Sequence, residues 1–325
     1  MGKKILLTGA GFSKAFNGYL CNELTAYFFN TLAVDIEFRE DLLKLRPFDR
    51  KNFETLLSDF RRKYKCDQDK ITKIEKVLGE IFQKMCDGMR QNDDVVPINS
   101  VAHFFYEFDH VFTINQDAIH NQNQADCSNK KKFSIDETMS GCGTWGNEGS
   151  FIAPRSVISD TLLSNILSNG RRAYLELHGA YDWPGVFILG DSSLPEEKKI
   201  GHIRNNPTLS SYFDFFEKFL RENGSKLVIV GYGFLDQHIN EAIAKAINSN
   251  NGLEIFIWDP SAEIYLEGRK KNVEVRGGVV SGPEDSLDGL DKNLLQKGLR
   301  GYLPKRFSLE GSDKEDVKRF LKTNQ

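Results

Sequence analysis

Short apolar runs alternate along the chain with longer segments in which apolar residues recur every three or four positions. The runs at Lys4–Leu7, Val111–Ile114 and Ala173–Leu177 are typical of short buried strands. Lys226–Val230 and Glu254–Trp258 repeat this pattern in the C-terminal third. Near-continuous apolar strands that alternate with helices predict a parallel sheet covered on both faces. The pattern therefore predicts the α/β fold class.

Helical periodicity occupies most of the space between these runs. Residues from about 22 to 108 are predicted to be mainly helical, as a block inserted between the first two strands. Outside or at the end of this block, helices are predicted at Ser100–Phe108, near Asp160–Ser168, at about Thr208–Arg221, near Gln237–Ile247, at Ala262–Lys270 and at Lys314–Leu321, with a short strand at Val273–Val275. No internal repeat is visible. We interpret residues 1–325 as a single domain.

The stretch from about 120 to 170 is the least regular part of the sequence. It is rich in Gln, Asn, Ser and Lys through Lys132, and glycines follow between Gly141 and Gly149. A lid over a site, an interaction surface and disorder are all compatible with this composition. We interpret this stretch as a second, irregular insertion.

Composition and charge exclude several classes of protein. The 325 residues carry a net charge of −3 with a pI of about 6.1, which argues against a general nucleic-acid binder and against direct sequence-specific recognition of nucleic acid. No apolar run approaches the roughly 18–20 residues that span a bilayer. We expect a cytoplasmic protein. The five cysteines are scattered without a Cys-x-x-Cys pair, so we expect reduced thiols, no zinc ribbon and no bound metal.

A glycine-containing turn directly follows the first strand. Gly9, Ala10, Gly11, Phe12 and Ser13 stand where a βα turn could approach a pyrophosphate and offer it backbone N–H groups. The third glycine of Gly-x-Gly-x-x-Gly is replaced, and no clear second strand with a ribose-binding acid follows. These departures argue against a dehydrogenase-type fold.

Polar residues also follow the second and third apolar runs. Asn115 could orient a water or hold a ribose hydroxyl, although for this residue taken alone an Asx turn is the more common explanation. Asp117 could act electrostatically beside it or cap the next helix. His178, which precedes Gly179, is a candidate general base or a structural histidine. The carboxyl ends of parallel strands share one edge of the sheet, so we expect these side chains to meet.

Two later strands end in similar polar turns. Gly231, Tyr232 and Gly233 follow the fourth strand, and Asp236 and His238 then begin a helix whose amides could bind a ribose or phosphate. A tight strand-to-helix connection is the alternative explanation.

Asp259 follows the fifth strand. Its carboxylate could bind a ribose or merely cap a turn.

The order of these motifs resembles the sirtuin superfamily. More narrowly, it is similar to the sirtuin-like (SIR2-like) NADase domains of bacterial anti-phage defence systems. The Gly-Ala-Gly-Phe-Ser, Thr-Ile-Asn-Gln-Asp, Leu-His-Gly and Gly-Tyr-Gly-Phe motifs carry the resemblance, which spans roughly Lys3 to Pro260. It implies a sirtuin-like Rossmann core. It also implies NAD phosphates at Gly9–Ser13, a nicotinamide ribose bordered by Asn115 and Asp117, and His178 as the base.

Two departures separate the chain from deacylating sirtuins. The Pro-Asp-Phe-Arg element of that group is replaced by Asn17-Gly-Tyr-Leu20, and only Cys127 and Cys142 stand where a four-cysteine zinc module would be. The resemblance therefore implies hydrolysis of NAD+ to nicotinamide and ADP-ribose by a defence effector that depletes NAD. An NAD-dependent protein deacylase and a non-enzymatic module that binds NAD or ADP-ribose are the alternatives.

The resemblance also implies control by assembly. An unregulated NADase would harm its own cell, so a homo-oligomer or a separate defence partner is expected. Relatives of this kind work with HerA-type ATPases, Argonaute-like proteins or small nucleotide-processing or sensor proteins. The sequence does not name the partner, the trigger or the stoichiometry.

Overall fold

The computed structural model describes most of the chain. The described residues are 2–32, 35–45, 53–90, 101, 104–117, 142–145, 151–152, 172–180, 188, 199–249, 252–267, 273–275, 278–280, 290–309 and 312–323. The helix predicted near Asp160–Ser168, most of the irregular stretch, and parts of the helices predicted at Ser100–Phe108 and Ala262–Lys270 lie outside these residues.

The described strands form a large sheet and a small one. In chain order they are β1 (Lys4–Thr8), β2 (His110–Thr113), β3 (Cys142–Trp145), β4 (Phe151–Ile152), β5 (Arg172–Glu176), β6 (Lys226–Val230), β7 (Glu254–Trp258), β8 (Val273–Val275), β9 (Gly278–Val280) and β10 (Leu299–Leu303). The large sheet has the order β10-β7-β6-β1-β2-β5-β3-β4, and its first six strands are parallel. The predicted α/β class with a parallel sheet is confirmed.

The order of the parallel strands defines where a ligand can enter. β1 lies between β6 and β2, with Leu6 facing Val228 on one side and Val111 on the other. The chain fills the sheet outward from β1 through β2 to β5, then returns to fill the other half through β6, β7 and β10. This is the strand order of dinucleotide-binding folds, in which ligands bind at the carboxyl ends where the order reverses. The β1–β6 boundary is that position here.

Helices cover both faces of the large sheet. They are α1 (Ala10–Lys14), α2 (Cys21–Thr31), α3 (Ile36–Leu45), α4 (Phe53–Lys63), α5 (Gln68–Arg90), α6 (Lys199–Asn205), α7 (Pro207–Leu220), α8 (Gln237–Asn248), α9 (Ala262–Glu267), α10 (Lys292–Gly298) and α11 (Asp313–Lys322). Alternate residues of each strand face opposite layers, so Ile5 and Leu7 pack with the core under α6–α10, whereas Leu6 packs with α2–α5 and α11. The predicted helical segment between β1 and β2 thus forms much of one layer.

Two parts of the predicted strand pattern are wrong or incomplete. The short strand predicted at Val273–Val275 is confirmed as β8, but it pairs antiparallel with β9 in the separate sheet and does not extend the alternating parallel sheet. The sixth parallel strand is β10. Its residues alternate between half-buried and exposed, and its sequence is not a continuous apolar run, so no strand was predicted there. The irregular stretch also contributes two short strands, β3 and β4, at the antiparallel edge.

Within the described residues, no helix combines the length and the apolar character that crossing a membrane would require.

Candidate active site

A cavity of about 990 Å³ opens at the carboxyl ends of the parallel strands. Its walls come from the turns after β1, β2, β5, β6 and β7, and the helices α2 and α5 add apolar side chains such as Leu24, Phe82 and Met85. From β5 to β7 there are four strand intervals of about 4.8 Å, which gives a site roughly 19 Å across. A cavity of this breadth can hold two nucleosides joined by a pyrophosphate.

The glycines after β1 and β6 allow two backbones to cross in contact. Gly231 has a φ of +61°, and a Cβ atom placed there would lie 2.3 Å from the backbone nitrogen of Phe12. A Cβ on Gly11 would lie 2.7 Å from the Cα of Gly231, and one on Gly9 would lie 2.6 Å from the Gly231 carbonyl oxygen. Because real Cβ atoms do not approach backbone so closely, glycine is required at these three positions.

At the crossing, backbone N–H groups that could otherwise donate to a phosphate are used in backbone hydrogen bonds. Gly9 N–H donates to the Val230 carbonyl at 3.0 Å, and Gly11 N–H donates to the Gly231 carbonyl at 2.9 Å. Phe12 N–H donates to the Gly9 carbonyl, also at 2.9 Å. The following helix α1 has only five residues. The turn therefore offers an anion fewer amides than its sequence suggests.

Asn115 links the turns after β1 and β2. Its amide nitrogen donates to the Gly9 carbonyl at 2.8 Å and to Ser13 Oγ at 2.7 Å, and its side chain is buried. A carbonyl can only accept, so the contact with Gly9 fixes which end of the amide is the nitrogen. Both amide hydrogens are then engaged. The amide oxygen remains as the acceptor that Asn115 can offer to a ligand in the cavity.

Asp117 completes this hydrogen-bonded group. The Ser13 hydroxyl donates to Asp117 Oδ2 in a short hydrogen bond while accepting from Asn115. Asp117 and Ser13 are both buried, and both line the cavity. The carboxylate thus orients Ser13, and Ser13 in turn orients Asn115. This chain of bonds is a preorganised polar wall on the β1–β2 side of the site.

His178 is buried at the end of β5 and contacts a second histidine. Its Nε2 lies 3.0 Å from Nε2 of His238, in the first turn of α8. Burial lowers the pKa of His178 well below its usual range. Lys199 and His238 lower it further, while Asp236 and a backbone hydrogen bond with Ile114 raise it. The imidazole is therefore neutral at pH 7, as a general base must be before it accepts a proton.

A buried ion pair lies beside the two histidines. Lys199 Nζ donates to Asp236 Oδ1 at 2.6 Å, and the two side chains are only 5% and 10% exposed. Burial raises the pKa of Asp236, but Lys199, His178 and His238 lower it more, so the net pKa lies well below the usual value. Asp236 is therefore ionised and its charge is balanced locally.

Among the described residues, His178, Asp236 and His238 could geometrically hold a metal ion. One ligand atom from each lies within 4.8 Å of the others. The Lys199 ammonium already forms an ion pair with the Asp236 carboxylate, however, and a dication would have to share that carboxylate with it. Charge repulsion at this distance is worth several kcal/mol even at a high effective dielectric constant. The donor set fits a metal only if Lys199 moves away.

The turn that carries Asp236 is held in a strained conformation. Phe234 is buried with a φ of +54°, a left-handed conformation that bulky residues rarely adopt. The Asn240 amide donates to the Phe234 carbonyl at 2.8 Å, and the Tyr232 hydroxyl donates to Asn240 Oδ1 at 2.9 Å. The same hydroxyl accepts from the Asp236 N–H at 3.2 Å. These bonds offset the strain and fix the start of α8.

Asp259 stands at the opposite end of the cavity from His178. Burial raises its pKa, whereas hydrogen bonds from Ser261 and Tyr265 lower it. The Ser261 N–H donates to Asp259 Oδ1 at 2.7 Å, so the residue does cap the turn after β7. It lines the cavity as well, so the capping explanation and the ribose explanation are compatible.

The structure brings most of the predicted site residues to one cavity. Those that line it are Ala10, Gly11, Ser13, Asn115, Asp117, His178, Gly231, Tyr232, Gly233, Asp236 and Asp259. Three others lie behind the wall: Gly9 at the backbone crossing, Phe12 in the aromatic core against Phe105 and Phe307, and His238 against His178.

Three cationic residues of the cavity wall lie outside the motifs that predict the site. They are Lys14, Lys199 and Arg306. Lys14 pairs with Glu23 at 2.6 Å, and Arg306 is an exposed residue just beyond β10. Positive charge beside the turn after β1 suits a pyrophosphate. Only Lys14 could have been noticed in advance, because it directly follows Ser13.

Comparison with known families identifies the domain. The model of the SIR2-like domain family matches residues 111–276, which is half of the chain and contains the turns after β2, β5, β6 and β7. No curated protein matches the chain.

Proposed function

The chain belongs to the SIR2-like domain family, and we propose that it is an NAD+ glycohydrolase. The reaction is the hydrolysis of the N-glycosidic bond of NAD+, in which water attacks the anomeric carbon and nicotinamide, ADP-ribose and a proton are formed. The observation that carries the proposal is the meeting of the Gly9–Ser13–Asn115–Asp117 hydrogen-bonded group with His178 in one cavity at the reversal of strand order.

Binding would place the pyrophosphate at the centre of the sheet edge. Ala10 and Ser13 line that position, and the side chains of Lys14 and Arg306 supply positive charge. The nicotinamide riboside would then extend toward Asn115 and His178. The adenosine would extend toward Asp259, the capping carboxylate that can also accept a bond from a ribose hydroxyl.

Catalysis in this arrangement consists mainly of positioning. Nicotinamide leaves as a neutral group, so the departing bond needs little acid catalysis. Asn115 would orient the attacking water or a ribose hydroxyl through its amide oxygen, and His178 would accept the proton. Asp117 would hold Ser13 and Asn115 in place. Exclusion of bulk water by the largely buried wall would protect the oxocarbenium-like transition state.

In the cell, we propose that this activity serves a bacterial anti-phage defence system by depleting NAD. Such an activity must be restrained until infection, so assembly with itself or with a partner protein would switch it on. The motif resemblance to defence NADases supports this role.

The test measures nicotinamide release from NAD+ by the chain alone and with proteins encoded beside its gene. Asn115→Ala and His178→Ala should each reduce the rate by about 10²–10⁴-fold, because each removes a group that acts on the reacting atoms. His202→Ala is the matched control, since His202 is an exposed histidine outside the cavity wall. Full activity in a folded His178→Ala variant would contradict the assignment.

A non-enzymatic module that binds NAD or ADP-ribose is the second candidate. The specific observation in its favour is that the Nε2 of His178 already faces His238. If NAD+ raises the thermal midpoint of the chain but no nicotinamide is released under any condition, the module is the better description. Release of nicotinamide only in the presence of an acyl-lysine peptide would instead indicate a deacylase.

A further inference from the structure

The contact between His178 and His238 restricts what the proposed base can do. Each ring presents its Nε2 to the other at 3.0 Å, so one nitrogen must donate and the other must accept. If His178 donates, its Nε2 has no lone pair for a ligand proton. If His178 accepts, its lone pair is already occupied. In either tautomer, Nε2 of His178 cannot act as a base while the contact persists.

The backbone of Ile114 decides between the two tautomers. An interaction with the Ile114 backbone raises the pKa of His178, as a carbonyl that accepts from the imidazole would. The Ile114 N–H already donates to the Thr8 carbonyl at 3.1 Å, so the bond with His178 must use the Ile114 carbonyl. A carbonyl accepts, and the imidazole therefore donates through its other nitrogen, Nδ1. We therefore assign the Nδ1–H tautomer to His178, in which His238 donates its Nε2–H to the lone pair of His178.

From this geometry we propose that His238 is a latch on the base: the unliganded chain is a resting state in which His238 occupies the Nε2 lone pair of His178, and the contact must open before NAD+ is cleaved. The inference rests on the proposed function and adds the regulation of that site. When the contact opens, Nε2 of His178 is free to take the proton from the attacking water or from a ribose hydroxyl.

The element that carries His238 is built to hold a strained position. Phe234, with its left-handed backbone, lies four residues before His238, and Asn240 and Tyr232 fasten the turn between them. Strained turns of this kind persist only where neighbouring bonds enforce them. Release of these bonds by a ligand or a partner would let the first turn of α8 move, and His238 would move with it.

The charged and titratable groups around the latch favour its closed form. Lys199 and Asp236 neutralise each other beside the rings, and Lys199 also lowers the pKa of His178. The imidazole of His178 then remains neutral and keeps the lone pair to which His238 can donate. Protonation of His178 would end this arrangement, because both nitrogens of that ring would then be donors.

Two matched substitutions of His238 test the latch. His238→Phe keeps a buried ring but removes the donor, so nicotinamide release by the isolated chain should rise by about three- to tenfold, the effect of one buried hydrogen bond. His238→Gln keeps an N–H donor, so its rate should stay below that of the Phe variant. Circular dichroism and thermal melting establish that each variant is folded. Where the wild type releases nicotinamide, a folded Phe variant whose rate is equal to or lower than that of the wild type overturns the proposal.

A second measurement is independent of turnover. Nitrogen-15 NMR of the imidazole rings should find Nδ1–H on His178 and Nε2–H on His238 in the wild type. In His238→Phe, the pKa of His178 should rise, because a donor that stabilised its neutral form is gone. Observation of Nε2–H on His178 in the wild type, or an unchanged pKa in the variant, would refute the latch. If no sample cleaves NAD+ yet the NMR result is as expected, the proposed reaction fails and the latch stands.

Discussion

Removal of the Lys199 ammonium should destabilise the protein more than its single ion pair would suggest. Lys199→Met keeps the length of the side chain but leaves the Asp236 carboxylate buried without its closest cation. The Asp236 side chain is 10% exposed, and its Oδ1 accepts a hydrogen bond from Lys199 Nζ at 2.6 Å. Breaking a buried pair by removing one partner typically costs about 3–5 kcal/mol, since the remaining charge has lost both water and its counter-charge.

The comparison with another ion pair isolates burial as the cause. Lys14 and Glu23 are also 2.6 Å apart, but their side chains are 31% and 34% exposed. For this partly solvated pair, Lys14→Met should cost no more than about 1 kcal/mol. The double variant Lys199→Met/Asp236→Asn should recover most of the loss of Lys199→Met, because no buried charge is left without compensation.

Urea denaturation monitored by tryptophan fluorescence measures these differences. Burial raises the pKa of Asp236, and Lys199, His178 and His238 together lower it below its ordinary value. In the wild type, the resulting stabilisation is present above the unfolded pKa and is lost as the pH falls through the folded pKa. Without Lys199, less positive charge counteracts the increase that burial causes, and the pKa of Asp236 rises. The cost of Lys199→Met should therefore shrink between pH 7 and pH 4.

Two results would refute this reasoning. One is a cost for Lys199→Met that is as small as that for Lys14→Met. The other is a double variant whose loss in free energy of unfolding equals the sum of the losses of its two single variants.

Four further predictions follow from the described residues. Gly231→Ala should lower the free energy of unfolding by more than about 2 kcal/mol, because a left-handed backbone and a clash with Phe12 combine; chemical denaturation measures this. Burial lowers the pKa of His110 to about 3, so the folded state keeps this histidine neutral and the protein loses stability as the pH falls below the unfolded pKa of about 6.5. His110→Phe should therefore raise the free energy of unfolding by about 2 kcal/mol more at pH 5 than at pH 8. An equal increase at both pH values would contradict this. If Asp259 holds the adenosine ribose, Asp259→Asn should reduce the ratio of kcat/KM for NAD+ to that for NADP+, because a carboxylate repels a 2′-phosphate. Metal analysis of the purified chain should find no stoichiometric zinc, and about one zinc per chain would revive the deacylase alternative.

The sequence was sufficient to predict the parts of the sheet in which nearly every residue of a strand is buried. β1, β2, β5, β6 and β7 are short continuous apolar runs, and their structural bounds agree with the predicted ones to within about one or two residues. β10 escaped prediction because it lies at an edge, where only one neighbour pairs with it and its residues alternate in exposure. An apolar run such as Val273–Val275 also does not specify which sheet it joins.

For the candidate site, the sequence could predict which strand ends are polar but not how the turns meet. Asn115 and His178 follow strands whose carboxyl ends share one edge, so their approach to one cavity was predictable. The use of the Gly9 and Gly11 amides in a backbone crossing was not, since it depends on the neighbouring turn at Gly231. Lys199 comes from a helix that carries no recognisable motif.

The backbone crossing also couples the two halves of the site. Gly11 donates to the Gly231 carbonyl, and Gly231 begins the turn that leads through Phe234 to His238. Ser13, two residues beyond Gly11, contacts Asn115. Because no Cβ-sized space separates the two turns, neither can shift by itself. We therefore expect that a ligand phosphate which moves the turn after β1 also moves the turn after β6. Pyrophosphate binding on one side and release of His178 on the other would then be parts of one rearrangement.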